Sequence, residues 1–93
     1  SVKTSNYTAT AGQGVFMNTT SGALTLTLPA SPTIGDEVTF VDYAGTFDSN
    51  NLTIYRNSSK IHGAEEDLTV AVERAANTLV FTDSTQGWLL KSK

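Results

Sequence analysis

The sequence predicts an all-β fold, a two-sheet antiparallel sandwich with jelly-roll-like connections and about eight short strands. Threonine supplies 15 of the 93 residues, and its β-branched side chain favours a pleated strand over a helix. Apolar and polar residues alternate with period two in several segments, as in a half-buried strand. Turn residues arrive roughly every 8 to 12 positions, the rhythm of an all-β sandwich or barrel. We interpret residues 1–93 as a single domain without repeats or linkers.

The first half of the chain predicts five of these strands. Residues 7–10 and 15–18 resemble a hairpin that turns across residues 11–14. Leu24, Leu26 and Leu28 alternate with threonines until Pro29, which lacks the N–H that a strand ladder needs. After a turn over residues 30–36, which contains Pro32 and Gly35, the next two strands follow in order; they begin at Val38 and Leu52.

The second half predicts short strands at residues 60–62, 79–81 and 88–90, the last two joined by the turn of residues 83–87. The segment from Leu68 to Ala76 is ambiguous, because it matches both strand alternation and a helical stripe. We favour a strand, since Val70 and Val72 are β-branched, and we expect a hairpin with residues 78–82 through a turn at residues 73–77.

The composition excludes several function classes. No cysteine is present, which excludes disulfides and thiolate chemistry. A net charge of −3 and a pI near 4.8 argue against binding to nucleic acid or to an anionic membrane. No apolar run approaches the roughly 18 residues that a membrane span needs.

No residue pattern predicts catalysis, a cofactor or a metal. His62 is the only histidine and is followed by Glu65, Glu66 and Asp67. A zinc ion needs three or four ligands, and carboxylates that adjoin in sequence cannot face each other across a sugar. We therefore interpret this segment as a solvated polar turn and predict a protein that is not an enzyme.

Several strands carry large apolar residues on both phases of the alternation. One phase fills the core of the subunit, and the other must be covered by something else. The residues on this second phase predict an oligomer interface: Phe16, Val41, Val80 and Leu89. Association of subunits would also compensate for the thin core of a chain this short without disulfides.

Exposed aromatic residues suggest a second kind of contact. Tyr43 falls in a loop, and Tyr55 is on the phase opposite Leu52 and Ile54. A surface tyrosine suits contact with a partner protein or with a host-surface glycan.

Several sequence segments, taken in order, resemble a small module of tailed-bacteriophage virion proteins, above all those of marine phages. After an opening NYTATAGQGVFMN at residues 6–18, these are LTLPASPTIGDEV at 26–38, GTFDSNNLTIYRNSSKIHG at 45–63, EDL at 66–68, and residues 80–89 with the Gly87–Trp88 pair. The resemblance implies a particle-surface protein of the head-decoration, head-fibre or tail-fibre type, often threefold, with no catalytic residues.

From the residues and this resemblance together we expect a structural protein of the virion surface. It would form a homotrimer, bind the capsid or other virion proteins, and stabilise or extend the shell as a decoration or fibre module. The alternative is a carbohydrate- or host-receptor-binding module of a tail fibre.

Overall fold

The computed structural model of the protein describes residues 2–90 and contains nine strands in two sheets. The strands are β1 (Val2–Lys3), β2 (Tyr7–Thr8), β3 (Gln13–Met17), β4 (Leu24–Thr27), β5 (Glu37–Asp42), β6 (Leu52–Tyr55), β7 (Leu68–Val70), β8 (Ala76–Phe81) and β9 (Trp88–Leu90). The described residues form no helix, and consequently none long and apolar enough to cross a membrane. The predicted all-β, two-sheet sandwich is confirmed.

The first six strands alternate between the two sheets along the chain. Sheet A has the order β1-β3-β5-β8-β9, and sheet B has the order β2-β4-β6-β7. The chain therefore passes from sheet A to sheet B three times, and each pass lies beside the previous one in parallel register. The first six strands thus wind as a short helical coil, in which each strand pairs in parallel with the next strand of its own sheet. The last three strands pair in antiparallel fashion: β7 with β6, β8 with β5, and β9 with β8.

The predicted antiparallel, jelly-roll-like connectivity is therefore wrong for the first six strands. The hairpin expected between residues 7–10 and 15–18 does not form, because β2 lies in sheet B and β3 lies in sheet A. Instead, β2 pairs with β4 and β3 pairs with β5. Residues 60–62 contribute only isolated bridges of Ile61, to Ala64 and to Trp88, instead of the expected strand.

The ambiguous segment is a strand, as predicted, but its partner is not the expected one. β7 pairs with β6 in sheet B, and β8 pairs with β5 in sheet A, so residues 71–75 cross between the sheets instead of closing a hairpin. The hairpin between β8 and β9 is confirmed.

The core lies between the two sheets and follows the period-two alternation. On β3 the side chains of Val15 and Met17 are buried, while Phe16 between them is exposed. The largest fully buried side chains come from both sheets and from the segments just after β4 and β5: Trp88, Phe40, Phe47, Met17, Leu26, Leu28, Leu52, Ile54 and Leu79. The aromatic rings of Trp88 and Phe81 pack edge to face, with ring centroids 5.6 Å apart.

Candidate functional site: the outer face of sheet A

The four residues predicted as an oligomer interface all lie on the outer face of sheet A. Phe16 is on β3, Val41 on β5, Val80 on β8 and Leu89 on β9. Phe16 and Val41 each lie between two buried neighbours, and Val80 and Leu89 are each more exposed than the buried residue before them, Leu79 and Trp88. This convergence follows from the alternation of side chains along a strand once the four strands join one sheet.

The register aligns these residues in two apolar rows across the sheet. Phe16 lies opposite Val41 on one side and opposite Val2 on the other. Val41 in turn lies opposite Ala76, which completes the first row on four strands. The second row runs from Glu37 through Val80 to Leu89. Side chains that lie directly opposite each other on one face contact one another, so each row forms a continuous strip.

A polar strip separates the two rows. Thr39 lies opposite Thr78, and their hydroxyl oxygens are 2.9 Å apart in a hydrogen bond. Gly14 continues this strip onto β3 opposite Thr39. Glu37 is the one charged residue of these three rows and ends the second row on β5. The face is therefore apolar along the first row and at Val80 and Leu89, and polar but uncharged in the middle.

Exposure is uneven across the face. Phe16 is 47% exposed and Val2 is 38% exposed, whereas Val41, Val80 and Leu89 are intermediate. Packing within one subunit therefore leaves the first row, around Phe16, as the most accessible apolar part of the face. It is the part that would gain most from cover by another surface.

The outer face of sheet B is different in chemistry. Its rows are Thr25–Thr53–Thr69 and Thr8–Thr27–Tyr55. These side chains carry hydroxyl groups that water can satisfy, so the face needs no cover. The outer face of sheet A is therefore the more apolar of the two.

The two tyrosines predicted as contact residues are both exposed, Tyr43 at 52% and Tyr55 at 45%. They do not share a surface. Tyr55 ends β6 on the outer face of sheet B, whereas Tyr43 follows β5 of sheet A. The Arg74 guanidinium donates a hydrogen bond to the backbone carbonyl of Tyr43 at 2.9 Å. This bond holds the backbone and does not involve the phenol group.

A buried carboxylate at the end of β5 supports the edge of this face, and sequence reasoning missed it. Asp42 is 1% exposed. Its oxygens accept the backbone N–H groups of Gly45, Thr46, Phe47 and Arg74 at 2.8–3.1 Å. Burial by itself would raise the pKa of Asp42, but these four amide donors outweigh it and hold the pKa below its ordinary value. The only sequence signal was an aspartate at the end of a strand before a glycine, which is typical of many turns.

The polar turn at His62 has a structural contact. The Leu90 N–H donates to Nε2 of His62 at 3.2 Å, which ties the loop before β7 to β9. Within residues 2–90, no group of three or more histidine, aspartate or glutamate side chains is placed to hold a metal ion.

Comparison with known proteins adds no family to this picture. No protein-family model matches the chain, and a search of curated proteins finds no match in sequence.

Proposed function

We propose that the protein is a non-enzymatic structural protein of a bacteriophage particle surface. It acts as a homotrimeric module that decorates the capsid or belongs to a fibre, and it binds and stabilises or extends the virion shell. The observation that carries this proposal is the apolar outer face of sheet A, with Phe16 opposite Val41 and Val80 opposite Leu89. The resemblance of the sequence to phage virion modules gives the setting.

Symmetric association gives this face a partner without requiring another protein. When three copies turn sheet A toward a common axis, each face is covered by its equivalents in the other two. Phe16 is already about half buried in one subunit, so covering the rest of its side chain contributes about half of the 1.5–3 kcal/mol for complete burial. Several half-buried side chains add smaller amounts, so the sum is appreciable against a total stability of about 5–15 kcal/mol for a domain.

A repeating particle surface then favours binding by many weak contacts. Copies that engage neighbouring sites on a lattice benefit from a high effective concentration, so modest contacts for each copy give firm attachment. The low charged fraction of 16%, against about 25% in typical soluble proteins, suits a surface of this kind.

The oligomeric state of point variants tests the proposal. We expect a trimer by size-exclusion chromatography with light scattering. Val80→Asp and Leu89→Asp should each give a folded monomer, because a carboxylate buried between subunits costs several kcal/mol. Thr53→Asp places the same charge on the outer face of sheet B and serves as the matched control that stays trimeric. A monomeric wild-type protein, or trimers for both sheet A variants, would overturn the proposal.

The location on the particle is tested separately. Gold-labelled protein added to intact phage particles should decorate the head or a fibre at regular positions. Label that is scattered on particles and background alike would argue against a virion role.

The second candidate is a carbohydrate- or host-receptor-binding module of a tail fibre, favoured by the exposure of Tyr43 and Tyr55. On a glycan array, such a module should give a saturable signal that falls in Tyr43→Ala or Tyr55→Ala. A decoration protein should bind the particle, and any signal that it gives on the array should stay unchanged in both tyrosine variants.

A further inference from the structure

A small pocket lies away from the outer face of sheet A, at the loops that surround β9. It is lined by Ser58, Ser59, Lys60, Glu65, Phe81 and Ser84 and has a volume of about 280 Å³. We name it the Phe81 pocket. Four of its residues come from the loop between β6 and β7, one ends β8, and one belongs to the turn between β8 and β9.

The backbone around the Phe81 pocket is firmly held. The Trp88 N–H donates to the Lys60 carbonyl at 2.8 Å, and the Gly63 N–H donates to the Gln86 carbonyl at 2.8 Å. The Arg56 guanidinium donates to the Ser59 carbonyl at 3.1 Å. The first two bonds join the loop between β6 and β7 to β9 and to the turn before it, and the third lies within that loop. The pocket therefore exists before any ligand arrives, as is usual for small-molecule sites.

One wall residue has an uncommon backbone conformation. Ser58 has φ of 76°, directly after Asn57 at 53°. Asparagine tolerates this left-handed region, but serine adopts it rarely and at a cost in free energy. Strained residues of this kind collect at ligand clamps, where the surrounding structure holds them in place. The strain at Ser58 is an observation separate from the shape of the pocket.

The polar side chains of the pocket are not used by the fold. Within residues 2–90, the side chains of Ser58, Ser59, Lys60, Glu65 and Ser84 make no hydrogen bond or ion pair with one another or with other protein groups. The residues that line the pocket thus carry three hydroxyls, one ammonium and one carboxylate, together with a single aromatic side chain. The ring itself is fixed by its edge-to-face contact with Trp88.

We infer that the Phe81 pocket binds one sugar ring of a glycan. A pyranose has a C–H face that packs on an aromatic side chain, and its hydroxyls both donate and accept hydrogen bonds. The walls match this chemistry, because they offer donors and acceptors together and carry no net charge. A volume just below the range of about 300–1,000 Å³ for drug-sized ligands suits a single ring. The rest of the glycan would extend into solvent.

This site goes beyond the proposed structural function and does not depend on it. Every residue of the pocket belongs to one subunit, so a monomer would bind as well as a trimer. The pocket also differs from the two exposed tyrosines of the second candidate function, since neither lines it.

Nuclear magnetic resonance titration of the intact chain tests the inference. The probes are D-glucose, D-galactose, D-mannose, L-rhamnose and N-acetyl-D-glucosamine, each added separately. Trp88 is the only tryptophan, so its indole N–H gives one isolated signal beside the pocket. We expect at least one sugar to shift this signal and the amides of residues 58–60, with a Kd of about 1 mM.

Matched variants locate the binding. Glu65→Gln should weaken it about tenfold, since the amide oxygen still accepts a hydrogen bond from the sugar but a neutral bond is weaker than one to a carboxylate. Glu66→Gln makes the same change of charge one residue along, outside the pocket, and should bind like the wild type. Ser84→Ala should also weaken binding, with an unchanged indole signal in the free protein as proof of folding.

Three results would overturn the inference. In the first, no sugar moves the indole or the amides of residues 58–60. In the second, Glu65→Gln and Glu66→Gln bind alike. In the third, the shifts centre on Tyr43 or Tyr55 instead, which would support the second candidate function. None of these results alters the oligomeric state, so they are distinguishable from a failure of the proposed structural role.

Discussion

The carboxylate of Asp42, at the end of β5, accepts the backbone N–H of Arg74 at 2.8 Å. A second bond links Asp42 to the residue after Arg74, because the Asp42 N–H donates to the carbonyl of Ala75 at 2.9 Å. The segment between β7 and β8 is thereby fastened to sheet A. These contacts explain why the chain crosses between the sheets at this point and brings β8 beside β5.

Replacement of Asp42 by alanine should lower the free energy of unfolding by about 2–4 kcal/mol. Four backbone N–H groups lose their acceptor, and the Phe47 N–H is buried where water cannot replace it. Urea denaturation followed by circular dichroism measures the change. Asp48→Ala is the control, since this exposed carboxylate follows in the same loop and should change stability by less than about 0.5 kcal/mol. Equal losses in both variants would refute this account of Asp42.

The contribution of Asp42 should depend on pH in a definite direction. Its pKa is lower in the folded protein than the ordinary value of 3.8. A group of this kind stabilises the fold fully above its unfolded-state pKa and loses that contribution as the pH falls through the folded-state pKa. We therefore expect the difference in unfolding free energy between wild type and Asp42→Asn to be constant from pH 7 to 5 and to shrink below about pH 4. Because other carboxylates titrate in both proteins, the difference isolates Asp42. A gap that widened in acid would contradict the assignment.

Gly87 should be irreplaceable even by alanine. It has φ of 74°, and an added Cβ would lie 2.0 Å from the Lys60 carbonyl oxygen, far inside contact distance. Relief of that clash would break the bond from the Trp88 N–H to the same oxygen. We expect a loss of about 3 kcal/mol or more in unfolding free energy. Gly35→Ala is the control, because φ there is 91° but no atom lies within 4 Å of the added carbon. It should cost only about 1 kcal/mol for the backbone conformation. Similar losses at both glycines would show that the conformation, and not the close approach of Lys60, sets the requirement.

The strands themselves were predictable because burial follows the alternation in the sequence. Val15 and Met17 face the core and Phe16 faces outward, as the period-two pattern indicates. The same reasoning placed Phe16, Val41, Val80 and Leu89 on the second phase, and the structure brings them onto one face of one sheet.

The parallel pairing was not predictable, because the number of residues between paired strands differs from one pair to the next. Phe16 lies 14 residues after its partner Val2 but 25 residues before its partner Val41. A constant spacing would have appeared as an internal repeat, whereas unequal spacing leaves no period in the sequence. Short strands with turn residues between them then resemble antiparallel hairpins, since local patterns carry no information on the partner strand.

Sites formed by residues far apart in the sequence were not predictable either. Ser58 and Ser84 line the same pocket although they are 26 positions apart, and each looks like an ordinary turn residue in its own segment. Asp42 accepts the N–H of a residue from another loop, so neither half of the pair identifies the other. Sites of this kind depend on the crossing of the chain between the sheets, which only the folded structure reveals.

The hydroxyl pair of Thr39 and Thr78 offers a last test of the outer face of sheet A. It separates the two apolar rows, with the oxygens 2.9 Å apart. Replacement of both residues by valine removes donor and acceptor together, which leaves the stability of one subunit nearly unchanged. It also joins the two rows into one apolar face. If subunits associate through this face, two added methyl groups per subunit contribute about 1.6 kcal/mol. The trimer should then dissociate at a concentration at least about tenfold lower, as analytical ultracentrifugation of a dilution series would show. Thr25→Val with Thr53→Val makes the equivalent change between two neighbouring strands of sheet B. That control should leave dissociation where it was, and a matching effect from both pairs would mean that association follows general hydrophobicity and not this face.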